Sequence, residues 1–176
     1  WTYDFVFRHF GGRSTAGGLR IITLVHPVNV ENVLSASQED IDMFYLNSFF
    51  CPKCSSDGNG VLVYGEGIGP GFTIGGAHVG PWAGALDIVA HELMHLVTNL
   101  SSGLGARNEA GALNEAFSDI MGTAVEFFFH EPGDGPLKAD YLIGEDVTDT
   151  PIAGLNRSLA DPQRFGDPDH NSNYSF

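Results

Sequence analysis

The chain has 176 residues, with 22 acidic against 8 basic side chains and a formal net charge of −14. Its length and 43% hydrophobic content suffice for one domain with a sizeable core, which excludes disorder throughout. The charge argues against nucleic-acid and anionic membrane partners and for multivalent cations, and no apolar run approaches the roughly 18 residues of a membrane span.

In chain order, residues 1–14 read as a short helix closing at Gly11-Gly12. Residues 19–26, rich in Ile and Leu, read as a strand ended by Pro27. Residues 39–50 start helical and end aromatic and strand-like. Cys51 and Cys54 form a lone C-x-x-C in a loop of Ser, Asp, Gly and Asn. A four-thiolate zinc site would need a second pair, so these two read as a local disulfide clip or as free thiols. Val61-Leu62-Val63-Tyr64 is a short strand, and a glycine-rich stretch leads on to Pro81. From residue 82 to 100, Leu86, Val89, Leu93, Leu96, Val97 and Leu100 recur with a helical period. A second helix covers residues 108–129, with Leu113, Phe117, Ile120, Met121, Ala124, Val125 and Phe128 as its apolar positions. Residues 131–176 are irregular and rich in Pro, Gly and Asp, and a stretch of that length points to function or bound ions. Strands followed by helices give an α+β fold. It forms one unit over 1–176: a β-rich part at 1–81, a helix pair at 82–130 and an acidic loop region at 131–176.

The chemistry centres on His91-Glu92-Leu93-Met94-His95. Two histidines four apart share a helical face and can reach one zinc ion, with Glu92 beside them as a base toward water. The flanking residues Ile88-Val89-Ala90 and Leu96-Val97 are apolar. Burying a glutamate and two imidazoles among them is costly unless a metal partners them. On the second helix Glu115, Asp119 and Glu126 fall at about 0°, 40° and 20°, one acidic stripe on an otherwise apolar helix. If the helices run antiparallel across residues 101–107, Glu115 faces the histidines and completes a His2Glu site with an open fourth position. Asp119, one turn on, can accept the second imidazole N–H of a ligand histidine. Antiparallel helices also bring Asp87 and Glu126 to one end, where Asp140, Glu145 and Asp146 add oxygen ligands of the kind calcium takes.

His91-Glu92-x-x-His95 followed by Asn114-Glu115-Ala116-Phe117-Ser118-Asp119 resembles the thermolysin (M4, gluzincin) family of metallopeptidases. Similar text recurs at Thr2-Tyr3-Asp4, Val63-Tyr64-Gly65, Asn108-Glu109-x-Gly111-Ala112, Ile143-Gly144-Glu145-Asp146 and Gly166-Asp167-Pro168-Asp169-His170. The resemblance implies a zincin-like fold and a secreted, monomeric endopeptidase acting on proteins or peptides. It also implies one catalytic zinc and one or two structural calcium ions. By this resemblance His91, His95 and Glu115 hold zinc, and Glu92 is the general base that passes its proton to the leaving amine. Asn114 and Asp119 orient the histidines, and Arg157 braces the substrate carbonyl. Asn47 and Ser48 lie on the edge strand that pairs with substrate backbone. Asp87, Glu126, Asp140 and Glu145, with backbone oxygens near Leu142, hold calcium.

The chain also departs from the family pattern. Ala106 stands where the family has a tyrosine that helps stabilise the tetrahedral oxyanion. The family's later His-x-Asn-Ser-Gly segment, whose histidine binds the same oxyanion, would fall beyond Phe176. On this reading the chain is a central piece, without the start of the N-terminal domain and without the helical C-terminal domain. One lost oxyanion donor typically costs about 2.7–4 kcal/mol. A second reading therefore stands beside the peptidase: a metal-stabilised piece that binds zinc and calcium without turnover. Asn99, Asn156 and Asn173 begin N-glycosylation sequons. His9, His26, His78, His130 and His170 read as packing or surface residues.

Overall fold

The structure, a computed structural model, describes residues 1–9 and 20–173. Helix α1 spans Thr2–His9, with Asp4 in its first turn paired to Arg8 at 3.1 Å. The expected end of this helix at Gly11-Gly12, and Leu19 at the start of the expected first strand, lie outside the described residues. The rest of that strand is shorter than expected, with β1 limited to Thr23–Val25. Its extended run stops at His26, whose φ of 52° turns the chain just before Pro27.

The ambiguous stretch before residue 50 contains both of its signals. A helical turn, α2 (Gln38–Asp40), runs into a wider turn over Ile41–Tyr45, and strand β2 (Ser48–Cys51) follows. Ser37 caps α2 by accepting the Asp40 N–H at 3.1 Å. Strand β3 (Val61–Tyr64) is central in the sheet, parallel to β1 and antiparallel to β2. Three strands of three or four residues are less than the β-rich part expected. The glycines at 65–80 carry the chain in loops, several of them at positive φ, rather than in further strands. Strand β2 is an edge, and its far end is closed by a Cys51–Cys54 disulfide.

Helix α3 (Leu86–Ser101) and helix α4 (Asn108–Phe129) follow a short turn at Trp82–Gly84. Their cross-contacts descend along one helix as they rise along the other, from Asp87 against Gly122 to Thr98 against Asn114, so the pair is antiparallel. A Cβ at Gly122 would lie 2.6 Å from the Asp87 carbonyl oxygen, so only glycine allows this approach. Tyr45, Tyr64, Trp82, Ile88, Met94 and Ile143 centre the main core, where Tyr64 donates to the Val89 carbonyl at 3.1 Å. A smaller cluster of Phe5, Ala90 and Val125 seats α1 on the helix pair.

The apolar positions of α4 do not all turn inward. Leu113 and Ile120 are 58% and 56% exposed, and Phe117 and Phe128 are also exposed. The buried face is made instead of Gly111, Asn114, Ser118, Asp119, Gly122, Thr123, Val125 and Glu126. Small and polar residues win that face because the helices meet closely and share the site between them.

Beyond α4 lie two short strands, β4 (Leu142–Ile143) and β5 (Arg157–Ser158), paired antiparallel with Ile143 opposite Arg157. This pairing sends Arg157 to one end of the helix pair, and the turn after β4 to the other. Among the described residues, no helix is long and apolar enough to cross a membrane.

Candidate active site

His91 and His95 project from one face of α3 because they are four residues apart. The Nε2 atoms of His91 and His95 lie 3.3 and 3.5 Å from the two carboxylate oxygens of Glu115 on α4. Each Nδ1 faces an acceptor on α4. His91 donates to Asp119 Oδ1 at 2.7 Å, and His95 to Asn114 Oδ1 at 3.2 Å. Once neutral with Nδ1 protonated, each imidazole would offer Nε2 as its lone-pair end, and both Nε2 atoms are directed at the same point between the helices. Thr98 donates to Asn114 Oδ1 at 2.7 Å, and Ser118 Oγ lies 3.2 Å from His95 Nδ1. Neither of those supports was expected from the sequence, although Ser118 follows Asn114 by four residues and Thr98 follows His95 by three, which placed them in reach.

Glu92 is buried, and Ser48 on β2 donates to its Oε1 at 2.8 Å, while its Oε2 has no partner. Burial raises the Glu92 carboxyl above its ordinary range, against the pull of the neighbouring histidines. His91, Glu92 and His95 each offer a ligand atom within 4.8 Å of the others. The two oxygens of Glu115 come closer still to both imidazoles, and the His91 and His95 N–H groups hold its pKa well below the carboxylate range. Burial pulls the His91 imidazole down, but Asp119 and Glu115 accepting from it outweigh this and hold it at about 9.

Arg157 was expected at the substrate carbonyl. Here its Nε and Nη2 fork onto Asp119 at 2.8 and 2.6 Å. Burial would raise the Asp119 carboxyl, but the bonds from His91 and Arg157 keep it low. Arg157 also lines a cleft of about 500 Å³, together with Asn47, Ser48, Phe50, Ala106 and Glu115. Asn47 is exposed, and its carbonyl accepts from Gly65 N at 3.0 Å.

At the opposite end of the pair, Asp87 and Glu126 are wholly buried and Glu145 adjoins them. Gly144 N donates to Asp87 Oδ2 at 2.6 Å, and Asp140 Oδ1 accepts from Leu142 N at 2.6 Å. Asp87 Oδ1 and both oxygens of Glu126 and of Glu145 are buried without partners. Burial, then the charge of Asp87, raises Glu126 to about 8 and Glu145 to about 9, and burial raises Asp87 to about 6. His130 was read as a packing or surface residue, and it packs edge-on against Trp1 with ring centroids 5.8 Å apart; it also offers a ligand atom within 4.8 Å of one from Glu126 and one from Asp146. The i, i+4 spacing of Glu126 and His130 was the signal available. Asn156 is 1% exposed and bonded to Ile143, Thr148 and Ile152, which removes it as a glycosylation site.

A family model described as "Thermolysin metallopeptidase, alpha-helical domain" matches residues 102–176. The thermolysin of Alicyclobacillus acidocaldarius subsp. acidocaldarius is 46% identical over 112 residues. The neutral protease B of Bacillus subtilis (strain 168) is 47% identical over 117 residues. The chain is thermolysin-like. These alignments cover 63% and 65% of this chain, which spans 18% of the length of each of those relatives. A solved precursor of protealysin, a metalloproteinase from Serratia proteamaculans, superposes with a TM-score of 0.60 at 30% identity. That match covers 89% of this chain and 40% of the other. The matched family model takes in α4, so in this thermolysin-like chain the helix bearing Glu115 falls within helical-domain sequence.

Proposed function

We propose that this thermolysin-like chain carries the catalytic centre of a zinc metalloendopeptidase. One observation carries the reading: the Nε2 atoms of His91 and His95 converge on the Glu115 carboxylate, with the buried, half-satisfied Glu92 beside them. A zinc ion held by His91, His95 and Glu115 would supply Lewis acidity toward a water and the scissile carbonyl. Glu92 takes the proton from the water and returns it to the leaving nitrogen. The Ser48 bond fixes Oε1, leaving Oε2 as the proton-carrying oxygen. Asp119 and Asn114 keep the Nδ1 protons in place, and the Arg157 fork keeps Asp119 ionised. The free edge of β2 suits an extended peptide, which would bind by main-chain hydrogen bonds with Asn47 near its end.

Calcium belongs to the same proposal. Asp87, Glu126, Asp140 and Glu145, with the backbone near Leu142, would hold one or two ions, supported by the buried oxygens left without partners there. Residues 1–81, 82–130 and 131–176 then act as one unit: substrate edge, zinc-binding helix pair, and calcium and substrate loop. The Cys51–Cys54 disulfide fits an extracellular setting, as does calcium.

One observation favours a second reading, metal binding without turnover. Ala106 lines the cleft and offers no hydroxyl to an oxyanion. Peptide hydrolysis by the zinc- and calcium-loaded chain, beside Glu92→Gln with zinc content measured in both, separates the two. Hydrolysis lost in Glu92→Gln at equal zinc supports the peptidase. One zinc per chain with no hydrolysis in either supports the second reading.

A further inference from the structure

Strand β2 has its outer edge free beside Glu92, and the phase of its hydrogen bonds decides which main-chain groups face outward. Gly65 N donates to Asn47 O at 3.0 Å, so Asn47 opposite Gly65 is a bonded pair continuing the β2–β3 register. Bonded and unbonded pairs alternate between antiparallel strands. Phe49 and Cys51 therefore bond inward to β3, whereas the N–H and C=O of Ser48 and Phe50 turn outward. Leu62, opposite Phe50, agrees with this phase, because its N–H donates at 2.9 Å to Ile22 on the β1 side. Among the described residues, no other element's main chain bonds to that of Ser48 or Phe50.

The next outward position is Pro52, and proline has no N–H to give. The strand also ends there. A disulfide joins Cys51 to Cys54, and Cys54 N donates to Cys51 O at 3.4 Å, which folds this segment into a closed turn. The loop behind it is tied down as well, with Gly60 N on Ser55 Oγ at 2.7 Å and Arg20 on Asp57 at 3.0 Å. Phe50 and Pro52 both line the cleft that holds His91, Glu92 and His95, so the closed end lies along the path of a peptide on this edge.

We propose that Pro52 and the Cys51–Cys54 ring act as a stop that ends main-chain recognition of an extended peptide at Phe50. On that side of the cleaved bond the chain then reads about three residues and no more. The stop takes its occupant, a peptide, from the peptidase reading. Ser48, whose hydroxyl meets Glu92, makes the contact beside the cleaved bond, and Phe50 takes the residue two further along. The residue two beyond that meets a turn with no donor.

Blocked alanine peptides with one central leucine serve as probes, chosen because Leu46, Ile88 and Leu155 give the cleft apolar walls. They are lengthened one residue at a time from either end and bound to the zinc- and calcium-loaded chain carrying Glu92→Gln, which leaves them uncleaved. Affinity should level off after about three residues toward one end. N-methylation of a peptide amide that pairs with Ser48 or Phe50 should weaken binding about fivefold, and methylation beyond them should change nothing. Amide hydrogen exchange should slow at Ser48 and Phe50 when peptide binds. In at least one of the variants Pro52→Ala and Cys51→Ser/Cys54→Ser, affinity should keep rising with length. Affinity that rises alike from both ends in the chain with Pro52 and the ring intact overturns the stop, even if a variant fails to fold. A plateau unchanged in both variants, or binding without protection at Ser48 and Phe50, also overturns it. Peptides that fail to bind overturn it too, and hydrolysis of a denatured protein by the wild type then leaves the peptidase reading standing. A wild type that hydrolyses nothing, beside a clear length limit in Glu92→Gln, keeps the stop and sinks turnover.

Discussion

Both ends of the α3–α4 pair gather carboxylates and histidine, yet their electrostatics run in opposite directions. At the His91 end every carboxylate has a donor: Glu115 faces two imidazoles, Asp119 holds His91 and the Arg157 fork, and Ser48 serves one oxygen of Glu92. Glu115 and Asp119 are accordingly held below their ordinary range. At the Glu126 end no arginine or lysine forms an ion pair with Asp87, Glu126 or Glu145 among the described residues, and burial raises Glu126 to about 8 and Glu145 to about 9. The first end is preorganised by protein donors and can await its ion. The second is a cluster of buried oxygens left without partners, so an ion bound there would contribute to folding directly.

Neutral isosteres should break this contrast most sharply, because they should act with opposite signs in metal-free protein. Asp119→Asn leaves the Arg157 fork without its anion and should cost about 3–5 kcal/mol. Glu126→Gln removes the proton uptake that burying this raised carboxyl requires near neutral pH and should stabilise the metal-free chain by an amount on the order of 1 kcal/mol. Denaturant melts in chelator read both. Loss of stability in both variants would mean that the two ends are electrostatically alike.

Ion removal comes next in size. An ion present at a hundred times its dissociation constant contributes about 2.7 kcal/mol, roughly 5–10 °C for a chain of this length. Chelation should lower the melting temperature by at least that much, and calcium alone should restore most of it in wild type but little in Glu126→Gln. Full recovery in that variant would remove Glu126 from the calcium reading.

The pH profile of metal-free protein sharpens the comparison. Unfolded glutamates release protons near 4.5, whereas folded Glu126 and Glu145 keep theirs to about 8 and about 9. The folded state then binds more protons, so stability should fall as pH rises across that window. His91, raised from 6.5 to about 9, adds to the same slope above 6.5. Glu115 and Asp119 act the other way, and their contribution is lost as pH falls below their ordinary values. Saturating calcium should flatten the alkaline limb, since it binds the deprotonated carboxylates. A metal-free chain that gains stability between pH 5 and about 9 would contradict the reading of the acidic end.

How much of this could be read from the sequence follows from which interactions are local. The bounds of α4 and the partners of His91 were legible because i, i+4 spacing and an acidic stripe at helical period fix them once two helices are set antiparallel. The side of α4 that meets α3 was also legible from its acidic stripe, whereas the close approach at Gly122 and the exposure of Leu113 and Ile120 were not. Arg157 was named, but its fork onto Asp119 depends on the β4–β5 register, which two-residue strands do not announce.

The smallest effect should come from Ser48, which links the sheet's edge to the Glu92 side chain. Its hydroxyl reaches Glu92 across 44 residues of sequence, so it reports whether β2 positions the base or merely packs near it. Ser48→Ala removes a single hydrogen bond to a charged group and leaves the zinc donors untouched. Expected costs are about 1–2 kcal/mol, roughly tenfold in kcat if the chain turns over peptide, with zinc content unchanged. Ser48→Thr, which keeps the hydroxyl, should recover most of the loss. Equal rates in Ser48→Ala and wild type would assign β2 to substrate alone. A fall in zinc content instead would tie the sheet edge to the metal end of the helix pair, and the contrast between the two ends would then extend beyond the helices.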